Sequence, residues 1–198
     1  MQGGESVPAG ILDSAVPRAQ RLDPVGGPDP RTLHERSSLI SALATGGFAL
    51  APRLVDLGAI VQQAADDYAA NAIAAGAPLR IRISPVLGQW DPDRLRDIAV
   101  ELIYNAITHA GGKPIDVGVG ASDTAALLVV QDYGPGVPVD RRDALFDPAV
   151  QVSGARIRFS NGLWLCRTLA AAMDGTIELE PSPTGARFVV TLPRYATP

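Results

Sequence analysis

The pattern of apolar and polar positions divides the chain into an unpatterned start and a regular remainder. Residues 1–30 are dense in Gly and Pro and show no sustained period, so we expect a flexible leader or linker there. Residues 31–76 instead have apolar positions at near-helical spacing and predict a helical segment. Its second helix, over 55–76, has Asp56 as its predicted N-cap and ends at Gly76.

The remainder, 77–198, mixes helical and alternating periods and predicts one domain. The predicted elements are a strand over 78–84, a helix over 91–112, strands over 114–120 and 126–132, a short helix over 139–146, an irregular stretch over 147–161, a helix over 162–175 and a closing hairpin over 176–193. Asp91 and Pro92 are typical of a helix start. The strand over 126–132 is nearly all apolar, which favours a central position. Helices with mostly antiparallel strands indicate an α/β fold, a two-layer α/β sandwich.

Composition and charge exclude several classes of function. Of the 198 residues 46% are hydrophobic, enough for a sizeable core, and the net charge is -4 with no basic run, so we expect no nucleic-acid partner. The longest apolar runs are too short to span a bilayer, so we expect no membrane contact. Cys166 is the single cysteine, which fits a reducing, cytoplasmic location.

One predicted helix carries polar residues in a line along a mostly apolar surface. Glu101, Asn105 and His109 stand four residues apart and therefore share one face of the helix. The Asn105 side-chain oxygen could bind a hard cation that bridges phosphates. Glu101 could polarise a cation-bound water or position a nucleophile. A satisfied core or surface residue is the plainer interpretation of a mid-helix asparagine.

Two further segments carry candidate chemistry. Asp132 ends a buried strand, and Gly134 and Gly136 would let the backbone approach a ligand closely. A carboxylate there could accept a hydrogen bond from an exocyclic amine such as that of adenine. Residues 160–165 lead into a helix, whose free N–H groups favour phosphate. Each signal alone is weak, because a Gly-x-Gly turn is usually only a turn; the order of all of them favours a nucleotide site.

The segment 91–193 resembles the ATP-binding domain of sensor histidine kinases, in the superfamily that also contains DNA gyrase B, Hsp90 and MutL. The motifs that carry the resemblance are "ELIYNAITHA" for the N box, "DYGPGV" for the G1 box, "LFDPA" for the F box, "NGLWL" for the G2 box, and "GARFVVTLP" at the end. The resemblance implies the Bergerat α/β sandwich, with Mg-ATP in a pocket under a mobile lid and phosphoryl transfer to a histidine.

The resemblance also implies roles for individual residues. Asn105 would be the magnesium ligand, Glu101 its catalytic neighbour, and Asp132 the acceptor for the adenine amine. The remaining residues implied in nucleotide binding are His109, Gly134, Gly136, Ser160, Asn161, Gly162 and Leu163. The cofactors implied are ATP and Mg²⁺.

The G2 box departs from the family pattern, which usually reads Gly-x-Gly-Leu-Gly-Leu. Ser160 replaces its first glycine, at a cost of roughly 1–2 kcal/mol if positive φ is required there. Trp164 replaces its third and would place a large ring beside the phosphate-facing turn, unless the ring points outward. Arg156 and Arg158, in the short lid, could reach phosphates or be solvated.

The second departure concerns the phosphoacceptor, because the chain has only two histidines. His109 lies within the N box and is not expected to accept phosphate. His34 is followed by glutamate, as in an H box, but the usual continuation is missing and no room remains for a first dimerisation helix. Residues 31–76 therefore resemble the rear part of a dimerisation hairpin, and a solvated helix is the plainer interpretation of His34.

Three hypotheses remain open from the sequence. The first is an Mg-ATP-dependent histidine kinase domain that phosphorylates a histidine of a dimer partner or another chain, with a response regulator as partner and a homodimer as one arrangement. The second is a catalytically degenerate protein that acts as an interaction or phosphotransfer adaptor. The third is a serine kinase of the anti-sigma type, suggested by "GLWL". The chain could be a piece of a larger sensor, half of a split kinase, or a degenerate relative.

Overall fold

The computed structural model describes residues 48–147, 149–153, 156–160 and 162–194, with the backbone alone for 149–153 and 156–160. The predicted leader, the start of the helical segment, His34 and Asn161 lie outside the described residues. The elements in chain order are β1 Arg53–Asp56, α1 Leu57–Ala74, β2 Leu79–Ile83, β3 Leu87–Trp90, α2 Pro92–His109, β4 Ile115–Ala121, β5 Ala125–Asp132, α3 Val139–Arg142, β6 Ala149–Ser153, β7 Arg156–Ser160, α4 Gly162–Ala172, β8 Thr176–Glu180 and β9 Arg187–Pro193.

A five-stranded sheet of order β2-β4-β5-β9-β8 forms one layer. β2 pairs in parallel with β4, and the other neighbours are antiparallel. Burial alternates along β4, where Ile115, Val117 and Val119 are buried and the residues between them are half-buried. Helices α1, α2 and α4 cover the buried face. The structure confirms the predicted two-layer α/β sandwich and the central position of β5.

Two carboxylates fix the starts of the long helices, as predicted. The Asp56 Oδ1 atom accepts from the N–H groups of Gly58 and Val86, each at 2.9 Å, and so joins α1 to the loop before β3. The Asp91 Oδ1 atom accepts from the first turn of α2, and its Oδ2 accepts from Ala51 N at 2.9 Å. Caps of this kind are each worth about 1 kcal/mol, and here each also holds a distant segment.

Helix α1 packs in the same hydrophobic core as helix α2 and the sheet. Leu57 and Val61 of α1 are fully buried in the same core as Ile98 and Leu102 of α2. The two helices pack side by side, and α1 also contacts β2. The described part of α1 therefore shares its core with the sheet.

Two local predictions were wrong, and one pair of strands was not predicted. The short helix predicted over 139–146 stops at Arg142 and continues as turns. The stretch predicted to be irregular, 147–161, contains the antiparallel hairpin β6–β7. The pair of β1 and β3 was missed because both strands are four residues long, too short for a clear period. None of the helices in the described ranges is long and apolar enough to cross a membrane.

Candidate nucleotide-binding site

A cavity of about 580 Å³ opens between α2, the end of β5, α3 and the start of α4. Its volume lies within the range of roughly 300–1,000 Å³ that is usual for small-molecule sites. The residues that line it are Glu101, Asn105, Ala106, His109, Asp132, Pro135, Gly136, Val137, Pro138, Asp140, Arg141, Ala144, Leu145, Gly162, Leu163, Ala186 and Phe188. Most of the residues predicted from the sequence are therefore in one place.

The polar line of α2 forms one wall. Glu101 is buried, Asn105 is half-buried and His109 is exposed at the helix end. The Asn105 Nδ2 atom donates to Glu101 Oε1 over 3.4 Å, which orients the amide. Among the described residues no donor is bound to Asn105 Oδ1, so this oxygen is available to a ligand. The i, i+4 spacing thus gives the helix a carboxylate and an amide oxygen side by side.

Asp132 forms the opposite end of the cavity. Its carboxylate is 4% exposed, and its Oδ1 accepts from Gly134 N at 2.9 Å and from Ala186 N at 3.3 Å. These two bonds fix the carboxylate between the G1 turn and the start of β9. No described group donates to Oδ2, so the second oxygen can accept from a ligand that enters the cavity.

The glycines after Asp132 are required by close contacts. A Cβ at Gly134 would overlap the carbonyl oxygen of His109 at the end of α2, so Gly134 packs behind the cavity wall and does not line it. Gly136 has φ +74°, and a Cβ there would come within 2.8 Å of Gly185 O. The turn therefore lies between the end of α2 and the β8–β9 turn, which only glycine permits.

A buried amide that the sequence analysis missed holds the β8–β9 turn in place. Gln131 is 6% exposed, and its Nε2 lies 2.7 Å from Asp132 O, 3.2 Å from Ser182 Oγ and 2.9 Å from Thr184 O. Gly185, next in the turn, packs directly on the backbone of Asp132. The available signal was a polar amide inside an otherwise apolar strand, next to a candidate ligand.

The G2 segment meets the cavity through Gly162 and Leu163. Gly162 begins α4 and lies directly against the Glu101 carboxylate. Trp164 does not line the cavity; it is half-buried at the edge of the core, in agreement with the outward-pointing alternative. Two residues along a helix correspond to a rotation of about 200°, which carries Trp164 to the side away from Gly162. Ser160 ends β7, and its side chain lies outside the described atoms.

Sequence reasoning also missed the apolar floor. Val137, Leu145 and Phe188 line the cavity, and the rings of Phe146 and Phe188 meet edge to face with centroids 6.4 Å apart. Phe146 belongs to the F box, so this motif contributes to the floor through β9. The available signal was the aromatic residue Phe188 at the start of β9, which pairs with Val130 two residues before Asp132.

Residues 90–196 match the family described as histidine kinase-, DNA gyrase B-, and HSP90-like ATPases. The signal transduction histidine-protein kinase AfsQ2 of Streptomyces coelicolor is 37% identical over 117 residues, which cover 57% of this chain and 22% of that protein. The ATP-binding domain of PrrB from Mycobacterium tuberculosis is 26% identical with a TM-score of 0.61, over 73% of this chain and 98% of that one. Histidine kinase AdeS of Acinetobacter baumannii has the same fold, with a TM-score of 0.70 at 20% identity over 84% of this chain and 79% of that one.

The chain thus spans about a fifth of the length of AfsQ2. The family match covers more than half of the chain and contains α2, the G1 turn, the start of α4 and both strands of the closing hairpin. These are the elements that surround the cavity. The chain therefore belongs to the histidine kinase-, DNA gyrase B-, and HSP90-like ATPases.

Proposed function

We propose that this chain binds Mg-ATP in the cavity between α2 and α4 and transfers the γ-phosphoryl group to a histidine on a dimer partner or on a separate chain. The observation that carries the proposal is the placement of two different acceptor groups in one cavity. Asp132 offers a fixed carboxylate oxygen on one side, and Glu101 with Asn105 offers oxygens on the other.

Asp132 is the proposed adenine contact. Its Oδ1 is bound to two backbone N–H groups, and Oδ2 can therefore accept from the 6-amino group without rearrangement. A guanine base presents a carbonyl oxygen at that position. Its partial negative charge would be repelled by the Asp132 carboxylate, which has no proton to donate. Val137, Leu145 and Phe188 supply the apolar surface on which a base can lie.

Asn105 is the proposed magnesium ligand. Its Oδ1 suits a hard cation, and the described residues contain no group of three acidic, histidine or cysteine side chains that could hold a metal without a substrate. Mg²⁺ is commonly held by one or two protein ligands together with substrate phosphates. When bound, the cation would neutralise charge on the phosphates; Asn105 would orient it from the wall of α2.

Glu101 is the proposed catalytic partner of the acceptor imidazole. In the transfer a nitrogen of the imidazole forms a bond to the γ-phosphorus, the bond to the bridging oxygen breaks, and ADP leaves. Glu101 can hold the acceptor ring by accepting from its N–H and can take up the proton that the ring loses. The acceptor is then a histidine of a partner, in a two-component pathway with a response regulator in the cytoplasm.

The proposal is tested by calorimetric titration of the chain with a non-hydrolysable ATP analogue, with and without Mg²⁺. We expect micromolar, magnesium-dependent binding that weakens about tenfold or more in Asp132→Asn, because the amide loses the charge that strengthens the hydrogen bond. The exposed Asp123 gives a control, and Asp123→Asn should bind as the unmodified chain does. Absence of binding at millimolar nucleotide would contradict the proposal and favour the adaptor hypothesis.

The transfer step needs a second measurement. The chain is incubated with ATP labelled at the γ-phosphate, alone and with a histidine-bearing dimerisation hairpin of a sensor kinase. We expect acid-labile label on the added hairpin, and we expect Glu101→Gln to bind nucleotide but to lose the label. Label that resists acid would indicate a serine or threonine acceptor instead.

A further inference from the structure

The cavity walls carry an unusual balance of charge for a polyphosphate site. Three carboxylates line it, those of Glu101, Asp132 and Asp140. Among the described lining residues Arg141 is the only arginine or lysine. Among the described lining residues, three negative side chains therefore stand against one positive side chain.

Arg141 is not engaged elsewhere in the described part of the chain. It is exposed on α3, and no described carboxylate or carbonyl group pairs with its guanidinium group. Other arginines are paired: Arg94 contacts Asp97 at 2.7 Å, Arg96 contacts Asp67 at 2.7 Å and Arg187 contacts Glu180 at 2.8 Å. Arg142, the next residue, donates from Nε to Val137 O at 3.1 Å and does not line the cavity.

The chemistry of the guanidinium group decides which part of a nucleotide it suits. The group has five N–H donors and no acceptor, and its planar fork matches two phosphate oxygens. Ribose hydroxyls and the adenine amine are better matched by the neighbouring carboxylates, which only accept. The charge and the planar fork of the guanidinium group both favour the phosphate chain as the partner of Arg141.

We propose that Arg141 binds the phosphate chain of the nucleotide and gives the cavity its preference for triphosphates over the nucleoside. The inference rests on the proposed function, because it requires a nucleotide in this cavity. It adds a residue on α3 to the α2 and α4 groups that the sequence motifs indicate. Arg141 lowers the repulsion between the phosphates and the Glu101 and Asp140 carboxylates, and Mg²⁺ bound at Asn105 would lower it further.

The test compares ATP, in a non-hydrolysable form, with adenosine, each titrated by calorimetry in the presence of Mg²⁺. In Arg141→Ala we expect the dissociation constant for the ATP analogue to rise about tenfold, as for the loss of a charge-assisted hydrogen bond. The constant for adenosine should stay within about twofold. Arg141→Lys keeps the charge and loses the planar fork. Its dissociation constant for the ATP analogue should lie between those of the unmodified chain and Arg141→Ala.

The matched control is Arg142→Ala, which removes the same charge one residue further on. Loss of its bond to Val137 can disturb the turn, but such a disturbance should affect ATP analogue and adenosine by the same factor. An unchanged ratio of the two constants in Arg141→Ala would overturn the inference. One form of that result is equal weakening of the binding of both ligands, which would indicate a ribose contact or a structural role.

The outcomes separate this inference from the proposed function. If the unmodified chain binds neither ligand, the proposed function fails, and the inference fails with it. If the unmodified chain prefers the triphosphate and Arg141→Ala keeps that preference, only the inference fails. The phosphate-binding cation would then have to lie elsewhere, and Arg156 and Arg158 would be the next side chains to replace.

Discussion

Gly162 lies directly against the carboxylate of Glu101: a Cβ added at residue 162 would overlap Glu101 Oε1. The first residue of α4 and the polar wall of α2 are therefore fitted to each other, although they stand far apart in the sequence. The glycine of the G2 box is required by packing at this point, and its φ is not in the positive range that calls for glycine on conformational grounds.

Gly162→Ala should lower both stability and nucleotide affinity. Either the start of α4 or the Glu101 side chain must move, and overpacking of this kind typically costs about 1–3 kcal/mol of unfolding free energy. The measurement is denaturant unfolding, followed by titration with the ATP analogue. Gly120→Ala is the control, because a Cβ on Gly120 meets no atom within 4 Å. Equal stability of the two variants would contradict the contact between Gly162 and Glu101.

Gln131→Leu should destabilise the protein and leave the position of Asp132 less fixed. The variant removes the amide that is bonded to Asp132 O, Ser182 Oγ and Thr184 O, at a cost of about 1–3 kcal/mol. Gln62→Leu is the control, since Gln62 makes a single hydrogen bond to Asp66 at 2.9 Å on the exposed surface of α1 and should change stability by less than about 0.5 kcal/mol. Unfolding in urea measures the free energy of unfolding of both variants. Similar losses in the two variants would show that the buried amide is dispensable.

Trp164→Leu should leave the affinity for the ATP analogue within about twofold, because Trp164 does not line the cavity. Leu163→Ala, one residue earlier, removes side-chain atoms from the lining and should weaken binding by severalfold. The pair is compared by titration under the same conditions. A strong gain in affinity for Trp164→Leu would mean that the indole ring obstructs the nucleotide after all.

Asp97→Asn should have a pH-dependent effect on stability. Burial raises the pKa of Asp97 in the folded protein, although the nearby Arg94 opposes the shift. A carboxyl group with a raised folded pKa binds its proton more tightly in the folded state than in the unfolded one. Its contribution to stability is therefore present at acid pH and is lost as pH rises through the folded pKa.

We accordingly expect the stability of Asp97→Asn relative to the unmodified chain to increase as pH rises from the ordinary carboxyl pKa of 3.8 through the raised folded pKa. Urea unfolding at several pH values measures this difference. Asp93→Asn, on the same helix, would serve as the comparison for charge removal near the helix start. A difference that stays constant or falls with rising pH would contradict the raised pKa.

The sequence predicted those parts of the fold that depend on local signals. Asp56 and Asp91 cap their helices because a short acceptor before a helical period is sufficient to define a start. The polar line of α2 and the acid at the end of β5 were predictable for the same reason, since periodicity fixes which residues share a face. Local patterns also identified the cavity walls on α2 and α4.

Contacts between distant segments were not predictable in this way. Gln131 and its partners in the β8–β9 turn are more than fifty residues apart in the sequence. No local pattern predicts that a buried amide will bind a distant turn. The direction of the Trp164 ring was left open by the sequence because it depends on how α4 packs on the core. Arg141 was missed since α3 is only four residues long and its face toward the cavity is set by the G1 turn.

The bond from Ala186 N to Asp132 Oδ1 joins residues 54 positions apart, the end of β5 and the start of β9. Closing so long a loop costs entropy before any contact compensates for it, and such pairings form slowly. During synthesis the Asp132 carboxylate would therefore lack one of its two backbone donors until the β8–β9 hairpin has emerged and paired with β5. We therefore expect competence for nucleotide binding to follow the docking of β8 and β9, so that binding by a nascent or truncated chain reports on completion of the sheet.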